Sequence, residues 1–273
     1  MRAGLVQLTS GDDPGANLRR TRTFVREAAA GGAELVLTPE VTNILTDDRA
    51  LQAAALRREA DDETLAALRD EAKNNRIWLL VGSLALLGET PDGRFANRSF
   101  LIAPDGNIAA RYDKIHMFDV DISETERYRE SAAFRPGDRA VLARTEIGAI
   151  GMTICYDLRF PELFHRLAEA GAQIITVPAA FSPVTGAAHW HVLLRARAIE
   201  TGCFILAPAQ TGRNTDRRST YGHALAVSPW GEVLCDAGTE PGVTLVDLDL
   251  ADVEKTRRRV PSLKHHRAFV GPT

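Results

Sequence analysis

Two stretches of this chain are near copies of each other. Gly32-Ala33-Glu34-Leu35-Val36-Leu37-Thr38-Pro39 matches Gly171-Ala172-Gln173-Ile174-Ile175-Thr176-Val177-Pro178 in its small-residue start, apolar middle and proline stop. A short apolar run closed by proline reads as a buried strand. Each copy follows a helical stretch, and each is followed later by a Pro-x-Gly hairpin turn, Pro104-Asp105-Gly106 and Pro229-Trp230-Gly231. Helix, strand and later hairpin, twice over, constrain the chain to a layered α/β fold with mixed sheets. Two similar halves packed as one unit would produce this pattern; so would any two α/β units set side by side.

The remaining periodicity fills in the alternation. Strands are expected at 3–9, 34–38, 77–83 and 173–178, with a further one at 203–207. Helices are expected at 17–30, 63–74 and 189–201, and from the turn after Cys155 to residue 170. Leu18, Thr21, Phe24, Val25 and Ala28 share one face of the first helix. Residues 98–102 and 108–114 form the first hairpin. No linker rich in Gly, Pro or Ser interrupts the chain, so its 273 residues are expected to form one domain, 1–273.

Composition excludes several classes of function. A net charge of −3 with both signs scattered, and no basic run, argues against nucleic acid as a partner. No apolar run approaches the ~20 residues that span a bilayer, so no membrane partner is expected. The apolar part of Met1–Ser10 is too short for a signal peptide and reads as a first strand. Three cysteines far apart in sequence make neither a disulfide framework nor a zinc pair. A reducing, cytoplasmic location is expected. His189 and His191 flank Trp190 without further ligands at helical spacing, so no metal site is expected there. Asp62-Glu63 reads as an acidic helix start. Lys264-His265-His266-Arg267 reads as a solvated or subunit-contact tail. Cys203 and Cys235 read as buried strand residues.

The third cysteine, Cys155, lies elsewhere in the fold. Ile147-Gly148-Ala149-Ile150-Gly151-Met152 is a glycine-rich apolar strand, and Pro161, Leu163, Phe164 and Leu167 start a helix. Cys155 stands on the turn between them, where α/β sheets collect binding and catalytic groups. A buried structural thiol would also fit this position. If the thiol is functional, turn amides and a nearby cation would make it more acidic than an ordinary cysteine. Polar residues end three other segments. Glu40 follows Thr38-Pro39, Lys114 follows Tyr112-Asp113, and Glu130 lies in Tyr128-Arg129-Glu130-Ser131. Amide hydrolysis needs a nucleophile, a base that becomes an acid, and a cation or N–H groups for the oxyanion. Cys, Glu and Lys supply these roles, although spacing alone does not bring them together.

The order of Thr38-Pro39-Glu40, Tyr112-Asp113-Lys114-Ile115-His116 and Cys155-Tyr156-Asp157-Leu158-Arg159-Phe160-Pro161 resembles the nitrilase superfamily of carbon–nitrogen hydrolases. The likeness continues through Phe181 to Trp190, Leu193 to Thr201, Tyr221-Gly222-His223 and the Pro229 turn. It implies a four-layer α-β-β-α sandwich and a metal-free hydrolase of linear amides that uses no cofactor. It also implies that Cys155 is the nucleophile, Glu40 the general base and Lys114 the oxyanion-side cation, with Glu130 as a second, positioning glutamate. Tyr156, through its N–H, and Arg159, as a carboxylate partner, are the expected substrate-binding residues. Arg159 pairing with Asp157 or Glu162 is the structural alternative, and Arg213, Arg217 and Arg218 are further candidates. Members of the superfamily usually form homodimers or larger assemblies, with the helices after Cys155 and around 189–201 in the interface. The residues after the cysteine resemble the amidase branch called Nit. There, two activities act on small-molecule amides: ω-amidase action on 2-oxo acid amides, and hydrolysis of deaminated glutathione. The stretch from Pro208 to His223 leans to the second, and Phe118 to Ser131 leans to the first.

Overall fold

A computed structural model describes residues 1–88, 92–122, 127–265 and 267–271. Part of the Phe118–Ser131 segment (123–126) and His266 of the basic tail therefore lie outside the described residues. The first half of the chain gives β1 (Arg2–Gln7), α1 (Pro14–Ala30), β2 (Leu35–Leu37), a short α2 (Arg49–Ala55), α3 (Glu63–Asn75), β3 (Trp78–Leu86), β4 (Ala96–Ile102) and β5 (Ile108–Asp113). A ribbon of β6 (Asp119–Asp121) and β7 (Arg127–Arg129) leads to β8 (Val141–Thr145), β9 (Gly148–Met152), α4 (Pro161–Glu169), β10 (Ile174–Thr176), α5 (Pro183–Thr201) and β11 (Phe204–Ala207). A second ribbon, β12 (Thr211–Arg213) and β13 (Ser219–Tyr221), precedes β14 (Leu225–Val227), β15 (Val233–Asp236), β16 (Gly242–Asp247) and α6 (Ala251–Arg259).

The twin motifs occupy matching places. One sheet has the order β16-β1-β2-β3-β4-β5 and the other β15-β14-β11-β10-β9-β8. In each, three consecutive parallel strands joined by helices are followed by an antiparallel hairpin. The twin strands β2 and β10 are the middle parallel strands of their sheets. The two hairpins turn at the two Pro-x-Gly sequences, whose glycines Gly106 and Gly231 have φ of 84° and 87°. That left-handed region favours glycine.

Strand alternation produces the layers. Leu35, Leu37 and Leu80 face inward onto Ile150, Met152 and Ile174 of the second sheet. Val36, Leu79 and Val81 face outward onto Val25, Ala28, Leu68 and Ala72 of α1 and α3. On the other side Phe164, Leu167, Trp190, Leu194 and Ala198 of α4 and α5 cover the second sheet. The result is the four-layer α-β-β-α sandwich. No helix among the described residues is long and apolar enough to cross a membrane.

Three elements differ from the sequence expectation. Helix α5 begins at Pro183, six residues before 189, because extended Ser182 precedes a proline at the first helical position. Cys155–Arg159 is a 3-10 turn, and the α-helix starts only at Pro161. Strand β3 runs past Ser83 to Leu86, carried through a register shift against β4 between Val81 and Leu84. Gly82 lies at that shift. A Cβ there would sit 2.0 Å from the Thr38 carbonyl oxygen and 2.5 Å from Pro178 Cβ. The ends of the twin motifs thus converge on one glycine.

Candidate active site

That convergence builds the site. Glu40 follows β2 and Ala180 follows β10, and the Ala180 N–H donates to Glu40 Oε2 at 2.9 Å. Lys114, directly after β5, brings its Nζ 2.8 Å from Glu40 Oε1 and 3.0 and 2.8 Å from the two oxygens of Glu130. Asn97 of β4 donates its Nδ2 to Glu40 at 2.9 Å and to Glu130 at 3.2 Å. Phe118 N–H holds the other Glu130 oxygen at 2.7 Å. Glu40, Lys114 and Cys155 are 5, 2 and 6% exposed, so their charges and thiol act on one another with little screening by water.

Two residues at this centre have strained backbones. Cys155 has φ of 46° and Val41, next to Glu40, has φ of 48°. For a non-glycine residue that conformation costs roughly 1–3 kcal/mol, and it persists only where the surroundings enforce it. At Cys155 the enforcement is visible. Its N–H donates to the Pro178 carbonyl at 2.9 Å. Behind it, buried Asp157 accepts from Ile154 N–H at 2.8 Å, Tyr112 OH at 2.6 Å and His116 N–H at 3.0 Å. Val41 N–H is taken by Ser83 Oγ at 2.8 Å. The N–H of Tyr156 makes no hydrogen bond among the described residues and is available beside the sulfur.

The electrostatics reverse one expectation. The Cys155 thiol is not acidified. Burial and then the adjacent Glu40 carboxylate push it well above the usual thiol range, outweighing the pull of Lys114. Burial alone would also raise Glu40, but the Lys114 ammonium and hydrogen bonds from Lys114, Cys155 and Asn97 hold it below the ordinary carboxylate range. Burial would lower Lys114, and the Glu130 and Glu40 carboxylates hold it well above its usual value. The resting state is therefore a neutral thiol hydrogen-bonded to an ionised glutamate.

This fixes the sign of a pH effect. Glu40 accepts a proton only when ionised, and its folded value lies below the ordinary ~4.3 of glutamate. If Glu40 is the base, turnover should stay level as pH falls through the ordinary carboxylate range and drop only below it, while the stability contributed by ionised Glu40 is lost over the same low-pH window. A profile of kcat/KM against pH, with folding followed by circular dichroism, checks this. An acid limb near neutrality would contradict the assignment.

The cavity over the thiol is lined by Glu40, Lys114, Glu130, Cys155, Tyr156 and Arg218, among others. Arg159 is not among the lining residues. Its guanidinium lies 5.8 and 5.5 Å from the ring centroids of Tyr156 and Phe181 and 3.2 Å from His189 Nδ1. Neither Asp157 nor Glu162 pairs with it; Glu162 holds Arg166 instead. The Arg218 guanidinium makes no hydrogen bond or ion pair among the described residues and rests over the Tyr128 ring at 5.7 Å. Asn97, Ala180 and the Tyr112–Asp157–His116 group are parts of the site that sequence reasoning did not single out. Of the two cysteines expected in the core, Cys203 is buried, whereas Cys235 on edge strand β15 is only half-buried.

A thiol, a carboxylate and an ammonium thus lie together under one cavity. The carbon–nitrogen hydrolase family profile matches residues 2–258, so the chain belongs to that family and is an enzyme that hydrolyses carbon–nitrogen bonds of amides. Deaminated glutathione amidase of Yersinia enterocolitica is 40% identical over 268 residues, covering 96% of this chain and 92% of the relative. The crystal structure of the C. elegans NitFhit protein superposes with a TM-score of 0.91 at 34% identity, over 97% of this chain and 65% of that one. An amidase from Nesterenkonia sp. AN1, crystallised as a glutamate-to-glutamine mutant with acrylamide added to its active-site cysteine, superposes with a TM-score of 0.78 at 27% identity, covering 96 and 98%.

Proposed function

We propose that this amidase hydrolyses deaminated glutathione to 2-oxoglutarate and cysteinylglycine through a thioester on Cys155. The observation that carries the chemistry is the buried contact of Cys155, Glu40 and Lys114. Glu40 takes the thiol proton as the sulfur attacks the amide carbon. The carbonyl oxygen, now an oxyanion, accepts from Lys114 Nζ and Tyr156 N–H. Glu40 returns the proton to the leaving nitrogen as the C–N bond breaks. Water, deprotonated by the same Glu40, then attacks the thioester, and the thiol is restored. Lys114 already supplies the positive charge between Glu40 and Glu130, and the sequence of steps draws on these residues alone.

The substrate is supported by two things. Relatives across this chain's length carry that activity in their names. The cavity is also rich in cations: Arg49, Arg127, Arg129 and Arg218 line it along with Lys114, against the carboxylates of Glu40, Asp47 and Glu130. Deaminated glutathione is a dianion, with a carboxylate at each end. Arg129 is already held by Asp121. Arg218, half-buried and without an ion pair among the described residues, is the cation placed to receive one carboxylate as a bidentate fork. The second reading is ω-amidase action on 2-oxoglutaramate, which shares the same acyl half and would pass through the same thioester. Initial rates on deaminated glutathione and 2-oxoglutaramate separate the two. A higher kcat/KM for 2-oxoglutaramate would overturn the first.

Arg218→Ala should raise KM for the dianion by about 10- to 100-fold, the worth of one charged hydrogen-bonded contact, with kcat little changed. A neutral amide should be hydrolysed equally by variant and parent. Arg159→Ala is the comparison. If it alone shows the carboxylate-selective KM effect, the carboxylate partner is Arg159. If it slows both substrates together, Arg159 supports Tyr156 and Phe181 from behind.

A further inference from the structure

Among the described residues, one cluster of metal-ligating side chains lies away from the cavity-lining residues, between α5 and the turn that joins β13 to β14. His191 Nε2 is 2.9 Å from Asp236 Oδ2, and His223 Nδ1 is 2.9 and 3.2 Å from the two oxygens of the same carboxylate. The three ligand atoms all lie within 4.8 Å of one another. They come from three different elements: His191 from the middle of α5, His223 from the turn after β13, and Asp236 from the end of β15. Asp236 and His223 are also held from outside the cluster. Gly238 N–H donates to Asp236 Oδ1 at 2.9 Å. His223 has φ of 56°, its N–H donates to the Gly238 carbonyl at 2.7 Å, and its own carbonyl accepts from Trp190 Nε1 at 2.8 Å. Its ring stacks on Tyr221 with centroids 4.5 Å apart. The side chains are 33, 23 and 33% exposed, so an ion can reach them from solvent.

We propose that His191 Nε2, His223 Nδ1 and the Asp236 carboxylate bind a divalent transition metal ion, Zn2+, with solvent completing its coordination. Two imidazoles and a carboxylate are a donor set that suits zinc. Ligands whose second contacts already fix them lose little freedom when the ion arrives. Zinc takes the place of the N–H protons now shared with the carboxylate. A neutral imidazole moves that proton to its other nitrogen, and a protonated one releases it to solvent. The ion would tie α5 to the β14–β15 edge. Trp190, bonded to His223, also packs on the cavity residue Phe181 with ring centroids 5.0 Å apart, so the clamp stands directly behind the cavity wall.

The test is equilibrium dialysis of the full chain against Zn2+, with bound metal counted by atomic spectroscopy and folding checked by circular dichroism. The parent and Cys155→Ala are both expected to bind about one ion per chain. His191→Ala, on a half-buried helical position that alanine suits, and Asp236→Asn, which keeps the side-chain shape, should each weaken binding by about 10-fold or more. Zn2+ should also raise the melting temperature of the parent and not of these two variants. Binding that is lost in Cys155→Ala but kept in His191→Ala would place the ion at the catalytic thiol and overturn the proposal. No saturable binding in the parent would overturn it as well. Neither outcome bears on the amidase reaction, which the substrate rates test separately.

Discussion

Glu40→Gln is expected to lower turnover by about 10²- to 10⁴-fold, the range for loss of a positioned acid–base group. Glutamine has the same shape and can still accept from Lys114 and Asn97 through one oxygen, so the pocket survives. It cannot take the thiol proton, which burial and the local charges hold firmly on Cys155. In the proposed mechanism both half-reactions use this group, so acylation and deacylation should slow together. The amide nitrogen would also face the Ala180 N–H, which now donates to Glu40 Oε2 at 2.9 Å, so a modest fall in stability should accompany the kinetic loss. Steady-state rates with a thermal melt give both numbers. Near-normal turnover would remove Glu40 from the mechanism.

Lys114→Met should damage both fold and activity. Lys114 Nζ is the cation between Glu40 and Glu130, and both carboxylates also share the Asn97 amide. Methionine fills much of the space but leaves two carboxylates facing each other in a site almost closed to water. Removing one partner of a buried pair costs about 3–5 kcal/mol. In a chain of this size that corresponds to a melting temperature lower by roughly 6–20 °C. Activity should fall by about 10²- to 10³-fold at temperatures where the variant stays folded, because the proposed oxyanion donor is gone. An unchanged melt would mean that the two carboxylates do not depend on this cation.

The parts of the site that were legible in the sequence are those whose chemistry travels with a local signal. Cys155 sits between a glycine-rich strand and a proline-led helix, and Glu40 closes one of the twin strands. Their order, with Lys114, carries the family likeness. What could not be read is what register and packing decide. Asn97 is one polar residue in an ordinary strand. It reaches both glutamates because β4 pairs with β5 so that Arg98 faces Asp113, which puts the Asn97 carbonyl on Lys114 N–H at 3.0 Å. The acidity of Cys155 came out reversed for a similar reason. A turn and a lysine argue for a thiolate, but only the folded chain places a carboxylate against the sulfur and closes water out. His191, His223 and Asp236 share no helix, so a search for helical ligand spacing passes over them. The fold itself was more legible than the site. Two copies of one strand and two Pro-x-Gly turns pointed to matching halves without separating them from any two α/β units, whereas the start of α5 and the continuation of β3 past Gly82 depend on contacts distant in sequence.

The central claim is a covalent acyl-enzyme on Cys155. Mixing the parent with deaminated glutathione, quenching in acid within the first turnovers and weighing the intact protein tests it most directly. The expected result is a species heavier by one 2-oxoglutaryl group, mapped by peptide digestion to Cys155 and absent from Cys155→Ala, which should also have lost turnover. Full turnover by Cys155→Ala, or an acyl group that maps to any other residue, would contradict it.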